Sequence, residues 1–461
     1  MSRLKAAWEL ASERVIAPKK ESQKEYSEDS IDFVEIPEFS NREDVVIESR
    51  ETEPIREDYK KEDLDKIKIQ EPETICFEDK IMEVCWNGQF YDYGGFARMN
   101  RSMVFGLSNR NVRVKVEIEP YLTHINKTTQ DQLRMMTNFR ISDTAPKIFG
   151  VTVPMNLSYP GKKILYTMIE TSEKVHHDYS GKLNLVDEIW VATEYGKNIL
   201  KKSNVHPPIK VMPLGVDTER YKPNSGIMDF GSSMRKFVFL SVFRWSYRKG
   251  FDILLKAYME EFSGNEDVTL LLASRPVECP EEIGPQRITE DFNGVRAAID
   301  KPDDDLPHIA LYSKPIHEKD MPKVYGSADA FVLISRGEGF GLPFIEAAAC
   351  GLPVIASNCS GHTDFLKEDN SYLVEPDEFV EARTTGRLSR MAKLCHFYEG
   401  QIFPDFGENA IEKTKEHMRF VYENQKEAQE KAEKLRKLII NNYTWDMAVD
   451  RVYKRLKEIS K

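Results

Sequence analysis

Residues 328–350 constrain the fold more than any other stretch of the chain. Ala328-Asp329-Ala330-Phe331-Val332-Leu333-Ile334-Ser335 reads as a buried parallel strand, and Glu346-Ala347-Ala348-Ala349-Cys350 reads as a helix. Between them runs Glu338-Gly339-Phe340-Gly341-Leu342-Pro343-Phe344-Ile345-Glu346, a glycine-rich turn with carboxylates eight positions apart. Such a turn lies at the carboxyl end of its strand. In open α/β sheets that is where ligands bind, and free amides at the following helix N-terminus attract phosphate. A carboxylate at each end accepts hydrogen bonds from sugar hydroxyls on one side and ribose hydroxyls on the other, so the arrangement suits a sugar nucleotide. The simpler competing reading is a solvated turn followed by one helix-face glutamate.

Further segments favour the first reading. Gly351-Leu352-Pro353-Val354-Ile355-Ala356 is a strand, followed by Ser360-Gly361-His362-Thr363-Asp364 and Asn370-Ser371-Tyr372-Leu373-Val374. Upstream, Lys236-Phe237-Val238-Phe239-Leu240-Ser241-Val242-Phe243 is a strand that leads to Arg244, then to Lys249-Gly250 and the amphipathic helix Phe251–Tyr258. This order resembles the donor-binding half of the retaining GT-B glycosyltransferases of the family 4 (group 1) type. Their signature is two glutamates separated by seven residues in a Gly-Phe-Gly context. The resemblance implies that Arg244 and Lys249 hold the donor diphosphate, Glu338 the sugar hydroxyls and Glu346 the ribose. Gly339, Phe340, Gly341 and Leu342 complete the donor site on the same resemblance. The two cations have a chemical reason. Cleaving the bond from an anomeric carbon to a diphosphate leaves negative charge on phosphate, with no proton at hand to neutralise it, so fixed cations and amides must do so.

The resemblance covers about residues 80–461 at the level of motif order. Pro213-Leu214-Gly215-Val216-Asp217 resembles the turn that opens the second domain, with Leu214 where Asn is often found, and Thr444-Trp445-Asp446 the aromatic motif of a final helix that crosses back. The expected organisation is α/β: two Rossmann-like doubly wound domains facing a cleft, preceded by an acidic extension. Its boundaries are 1–75 for the extension, 76–215 for the acceptor domain, 216–440 for the donor domain and 441–461 for the crossing helix.

In the amino-terminal half, Lys80–Trp86 reads as a first strand, followed by Tyr93-Gly94-Gly95-Phe96-Ala97-Arg98. Gly94 and Gly95 match the family's Gly-Gly loop, where small residues let amides approach the donor phosphate or the acceptor. Lys163–Thr171 reads as a strand ending in Glu170, where many relatives place a histidine. A carboxylate there orients a sugar hydroxyl or stabilises oxocarbenium-like charge, and attack as a nucleophile is a third, less favoured role. His176 and His177 read as loop histidines.

Charge and cysteines set the remaining bounds. Residues 21–73 carry 19 acidic against 8 basic side chains, a net −11 that equals the charge of the whole chain. We read the segment as an extended or disordered acidic extension, which excludes nucleic acid as an expected partner. Ahead of it, Leu4, Trp8, Ala11 and Val15 fall on one helix face. Docking on its own protein is the simplest use of that face; a protein partner or peripheral attachment to a membrane through residues 1–75 are the others. Cys76, Cys85, Cys279, Cys350, Cys359 and Cys395 are scattered, which argues against a zinc site or disulfide framework. Without an apolar run of 18 residues or a signal-peptide core, cytoplasmic residence is expected. Asp303-Asp304-Asp305 reads as a solvated turn inside a loop insertion from Gln286 to Pro307, not as a metal site.

The expected activity is metal-independent and cofactor-free transfer of a hexose from a nucleoside diphosphate sugar to a glycan, lipid-linked or protein acceptor, with retention. The alternative is a non-catalytic GT-B sugar-binding or scaffold subunit.

Overall fold

The computed structural model describes β1 (Val34–Glu35) and residues 81–460, apart from 120–124, 126, 155–156, 231–233, 277–283, 386–387 and 391–397. The expectations for the amino-terminal helix, for most of the acidic extension, and for Cys76, Cys279 and Cys395 lie outside the described residues.

The first sheet is built from β2 (Glu83–Gly88), β3 (Arg113–Ile118), β4 (Lys147–Gly150), β5 (Lys163–Thr167), β6 (Glu188–Val191) and β7 (Ile209–Val211). These strands are parallel and lie in the order β3-β2-β4-β5-β6-β7. Alternation along a strand sends neighbours to opposite faces, and both faces here are covered. Ile164 and Tyr166 of β5 join Trp190 in one apolar cluster, whereas Leu165 joins Ile189 and Val191 in another. The first domain's helices are α1 (Gly95–Ser108), α2 (Lys127–Thr137), α3 (His177–Leu183) and α4 (Glu194–Lys201). Buried Asn100 fixes α1 on the sheet: its Oδ1 accepts from Trp86 Nε1 at 2.9 Å, and its Nδ2 donates to the Gly150 carbonyl at 2.9 Å.

The second sheet comprises β8 (Phe237–Trp245), β9 (Val268–Pro276), β10 (His308–Tyr312), β11 (Ala330–Leu333), β12 (Val354–Ser357) and β13 (Tyr372–Val374). Their order is β10-β9-β8-β11-β12-β13, again parallel, with β1 antiparallel on the β10 edge. In this sheet β8 lies between β9 and β11, so the winding reverses there. The connections leaving β8 and β11 therefore part to opposite faces of the sheet, which puts a crevice at the carboxyl ends of these strands. Two doubly wound α/β domains are what the sequence led us to expect.

Other elements differ from expectation. The stretch from Gln286 to Pro307 is a loop only beyond Arg296, because α6 (Gly284–Arg296) follows α5 (Phe251–Glu261) and buries Ile288 and Phe292 one turn apart. Asp303–Asp305 is a short 3₁₀ turn whose Asp303 accepts from Arg296 Nε at 2.9 Å. The strand expected to run to Glu170 stops at Thr167, where the Thr167 hydroxyl donates to the Thr152 carbonyl at 3.0 Å. Four-residue strands β14 (Glu378–Glu381) and β15 (Ile402–Asp405) form an antiparallel pair that we did not anticipate.

After α7 (Met321–Gly326) and α8 (Leu342–Ala349), the chain continues through β12 to β15 into α9 (Glu408–Glu423), α10 (Gln425–Asn442) and α11 (Trp445–Ile459). The second crossing runs beside the first: the Val216 N–H donates to the Tyr443 carbonyl at 2.9 Å. Helix α11 then lies against α1, with Val449 so close to Gly106 that an added Cβ would meet it at 2.5 Å. Glu188, 1% exposed, accepts from Arg455 Nε and Nη2 at 2.8 and 2.6 Å and from Trp190 Nε1 at 2.8 Å.

Candidate active site

The end of β8 turns sharply. A 3₁₀ turn over Tyr247–Lys249 is closed by Gly250 at φ 67°, and a Cβ there would overlap the Ile334 carbonyl beyond β11. The Lys249-Gly250 pair thus needs glycine for conformation and for close approach. The two strand ends are stitched together. The Arg336 N–H donates to the Arg248 carbonyl at 2.7 Å, and the Ser335 hydroxyl donates to the same oxygen at 3.2 Å.

This stitching brings Lys249 against Glu338 as a buried ion pair, with Arg248 Nη1 4.0 Å from the same Glu338 oxygen. Burial drives the Lys249 pKa down, and the neighbouring Arg248 charge works in the same direction against Glu338. Burial pushes the Glu338 carboxyl up, but Lys249 and Arg248 outweigh it and hold it below the ordinary carboxylate range. Gly341, at φ 95°, caps α8, so Gly339, Phe340 and Gly341 lead directly into that helix.

The first domain meets this crevice from the other side. A Cβ on Gly94 would lie 3.0 Å from Arg244 Nη2, and one on Gly95 would lie 3.8 Å from Leu342 Cδ1. Arg244 is about half exposed and pairs with Asp92 at 3.5 Å, while the Asp92 carboxylate also accepts from the Gly94 N–H. A Cβ on Gly337 would lie 2.5 Å from the Glu170 carbonyl, and Gly339 is packed against Met168. The residues singled out in the sequence therefore gather where the two domains touch: Gly94 and Gly95, Glu170, Arg244 and Lys249, and the turn from Glu338 through Leu342 to Glu346.

Several neighbours were not foreseen. Arg98 of α1 pairs with Glu346, whose other oxygen accepts from the Tyr325 hydroxyl at 2.7 Å. One turn on, buried Arg101 pairs with Glu318 of the second domain. Their i, i+3 spacing behind the Gly-Gly turn was the available signal. Arg248 carries no separate signal in the sequence, because Arg244 and Lys249 alone match the two cations that the resemblance implies. His176 caps α3, its Nδ1 accepting from the Asp178 N–H at 3.3 Å. Met135 of α2 and Phe139 just beyond are exposed.

His362 packs its ring on Phe344 at 4.5 Å, with Nε2 2.6 Å from the Ser357 carbonyl. Burial lowers its pKa to about 4. The unfolded chain takes up a proton near pH 6.5 that the folded protein refuses. Stability is therefore expected to fall as pH drops from about 6.5 to 4, by up to about 1.4 kcal/mol per pH unit from this group. Urea unfolding across that range checks it: His362→Asn should flatten the slope, and an unchanged slope would contradict the assignment.

Residues 234–385 match the family model for Glycosyl transferases group 1. The chain has the GT-B fold, and the match to this family model falls on its second domain. By fold, this GT-B chain is similar to HepE of Anabaena, solved in complex with UDP and glucose. The TM-score is 0.56 at 11% identity, covering 82% of this chain and 100% of that one. It is also similar to sucrose-phosphate synthase of Thermosynechococcus elongatus, with TM-score 0.58 at 14% identity over 82% of this chain and 99% of the other. In sequence it is 34% identical over 182 residues to probable sucrose-phosphate synthase 5 of Oryza sativa subsp. japonica, covering 38% of this chain and 17% of the relative. With D-inositol 3-phosphate glycosyltransferase 2 of Catenulispora acidiphila it shares 27% identity over 225 residues, 47% of each chain. The GT-B chain thus spans less than half the length of these curated relatives. No described helix is long and apolar enough to cross a membrane.

Proposed function

We propose that this GT-B protein is a retaining glycosyltransferase that moves a hexose from a nucleoside diphosphate sugar to an acceptor hydroxyl. The observation that carries the reading is the buried Lys249–Glu338 pair at the switch point of the second sheet, with Arg244 and Leu342 of the same domain set against Gly94 and Gly95. The diphosphate binds against the adjoining Gly-Gly loop and Arg244 guanidinium, with Lys249 and the amides of Gly339, Phe340 and Gly341 completing its field. Glu338 and Glu170 accept from hydroxyls of the transferred sugar. Glu346 accepts from the ribose while Arg98 and Tyr325 hold it; each carboxylate oxygen keeps a second lone pair for that purpose.

In the reaction the acceptor oxygen bonds to the anomeric carbon as the bond to phosphate breaks. The leaving phosphate oxygen, on the same face of the sugar, takes the acceptor proton, so no separate strong base is needed. The basic side chains balance the phosphate charge without a divalent metal, and no cofactor beyond the nucleotide sugar is required. The acceptor is a glycan, a lipid-linked glycan or a protein, received by the first domain.

Incubation with UDP, GDP and ADP sugars, followed by NMR of the anomeric proton, tests the reading. Release or transfer of an α-configured sugar from an α-linked donor supports it. An inverted product contradicts retention. No turnover of any donor moves the reading to a sugar-binding or scaffold subunit.

A further inference from the structure

Tyr398 belongs to none of the donor-site motifs, yet its hydroxyl donates to Glu170 Oε2 at 2.6 Å. Arg248 Nη1 lies 3.1 Å from Glu170 Oε1. Both oxygens of a first-domain carboxylate are therefore held, each by a residue of the second domain. The contact is broader than one side chain: the Thr171 hydroxyl and the Ser172 N–H both donate to the Ile402 carbonyl at 2.8 Å. Behind it, the Tyr398 ring stands edge-on to fully buried Phe403, with centroids 5.2 Å apart. The unanticipated β14–β15 pair thus reaches the site from the side and seats one tyrosine on the one carboxylate that departs from the family's usual histidine.

We infer that Tyr398, together with Arg248, is a positioning residue for Glu170, and that the β14–β15 pair ties the orientation of this carboxylate to contact between the two domains. A carboxylate turned by a few tenths of an ångström presents its lone pairs to different hydroxyls, so fixing both oxygens selects one sugar pose. A charge-assisted hydrogen bond from Tyr398 and an ion pair from Arg248 supply that constraint without touching the sugar. For its kinetic readout the inference rests on the glycosyltransferase reading. The contact itself does not.

The test uses the full chain, unaltered and as Tyr398→Phe, Glu170→Gln and the double variant, with two readouts. Amide hydrogen exchange needs no substrate. Tyr398→Phe should accelerate exchange at Ser172 by about 10-fold or more, at unchanged protection of the α1 amides. Turnover of the sugar nucleotide that the donor panel identifies should fall about 10- to 100-fold, with KM for that donor within about twofold. In the Glu170→Gln background the same substitution should cost less than about twofold further, because a residue acting through Glu170 has nothing left to position. Unchanged Ser172 exchange, or losses that simply multiply in the double variant, would overturn the inference. If the unaltered protein turns over no donor, the transferase reading fails, and the exchange result alone decides whether Tyr398 pins the Glu170 loop.

Discussion

Replacing Lys249 with alanine is expected to lower turnover at saturating donor by about 10²–10³-fold while leaving the fold intact. The size follows from the job proposed for this ammonium, which is to meet charge that appears on phosphate only as the glycosidic bond breaks. Interactions stronger in the transition state than in the bound substrate appear in kcat, so the loss should not be recovered by more donor. Folding survives because Arg248, 4.0 Å from the same Glu338 oxygen, still offsets that buried carboxylate. Glu338→Gln should be comparably impaired, since it removes the partner that fixes Lys249 and a sugar-hydroxyl acceptor at once. Steady-state kinetics against donor concentration, with circular dichroism as the folding control, checks both. Equal turnover in either variant would sink the site assignment.

The second large effect concerns stability. Arg455→Met is expected to destabilise the protein by about 3 kcal/mol at pH 7, because it strands the Glu188 carboxylate in an almost fully buried place. Lys162, 3.3 Å from Glu188 Oε2, and the Trp190 indole N–H remain and keep the cost at the lower end for a broken buried pair. Burial alone raises the Glu188 pKa, but Arg455, Trp190 and Lys162 bring it below the ordinary range. Its stabilising contribution is therefore present above the unfolded carboxylate pKa and is lost as pH falls through the folded one. In the variant burial dominates, so the sign reverses and mild acid narrows the gap to the parent. Urea unfolding at pH 7 and pH 5 measures both effects. A penalty below about 1 kcal/mol, or one that widens at pH 5, would contradict this account of how α11 is fastened to the first domain.

Legibility in the sequence followed the distance over which a signal acts. Continuous apolar runs such as Phe331-Val332-Leu333 and Val354-Ile355-Ala356 mark parallel strands because both faces are covered, and the fold class follows from their alternation with helices. Gly250 and Gly341 mark tight turns because their backbone needs positive φ, and those turns place Lys249 and the Glu338 loop. What escaped depends on contacts across the cleft or far along the chain. Arg98 meets Glu346, Arg101 meets Glu318 and Tyr398 meets Glu170 over separations that no local pattern encodes. Met168 and Ile169 continue the apolar run of β5 and so point to a strand reaching Glu170, while the chain leaves the sheet at Thr167 and its Thr171 and Ser172 bond to distant Ile402. Polar residues dominate helix α6 and hide its periodicity, while Ile288 and Phe292, with partly buried Val295, anchor it on the core.

A nucleoside diphosphate is expected to bind at the carboxyl ends of β8 and β11. Calorimetric titration with UDP, GDP and ADP, repeated on Arg244→Ala, tests it most directly. We predict one-to-one binding of one of the three, weakened about 10-fold or more when the exposed Arg244 guanidinium is removed. Binding of equal strength in Arg244→Ala would place the ligand elsewhere on the molecule, and no binding of any of the three would contradict a nucleotide site at this crevice.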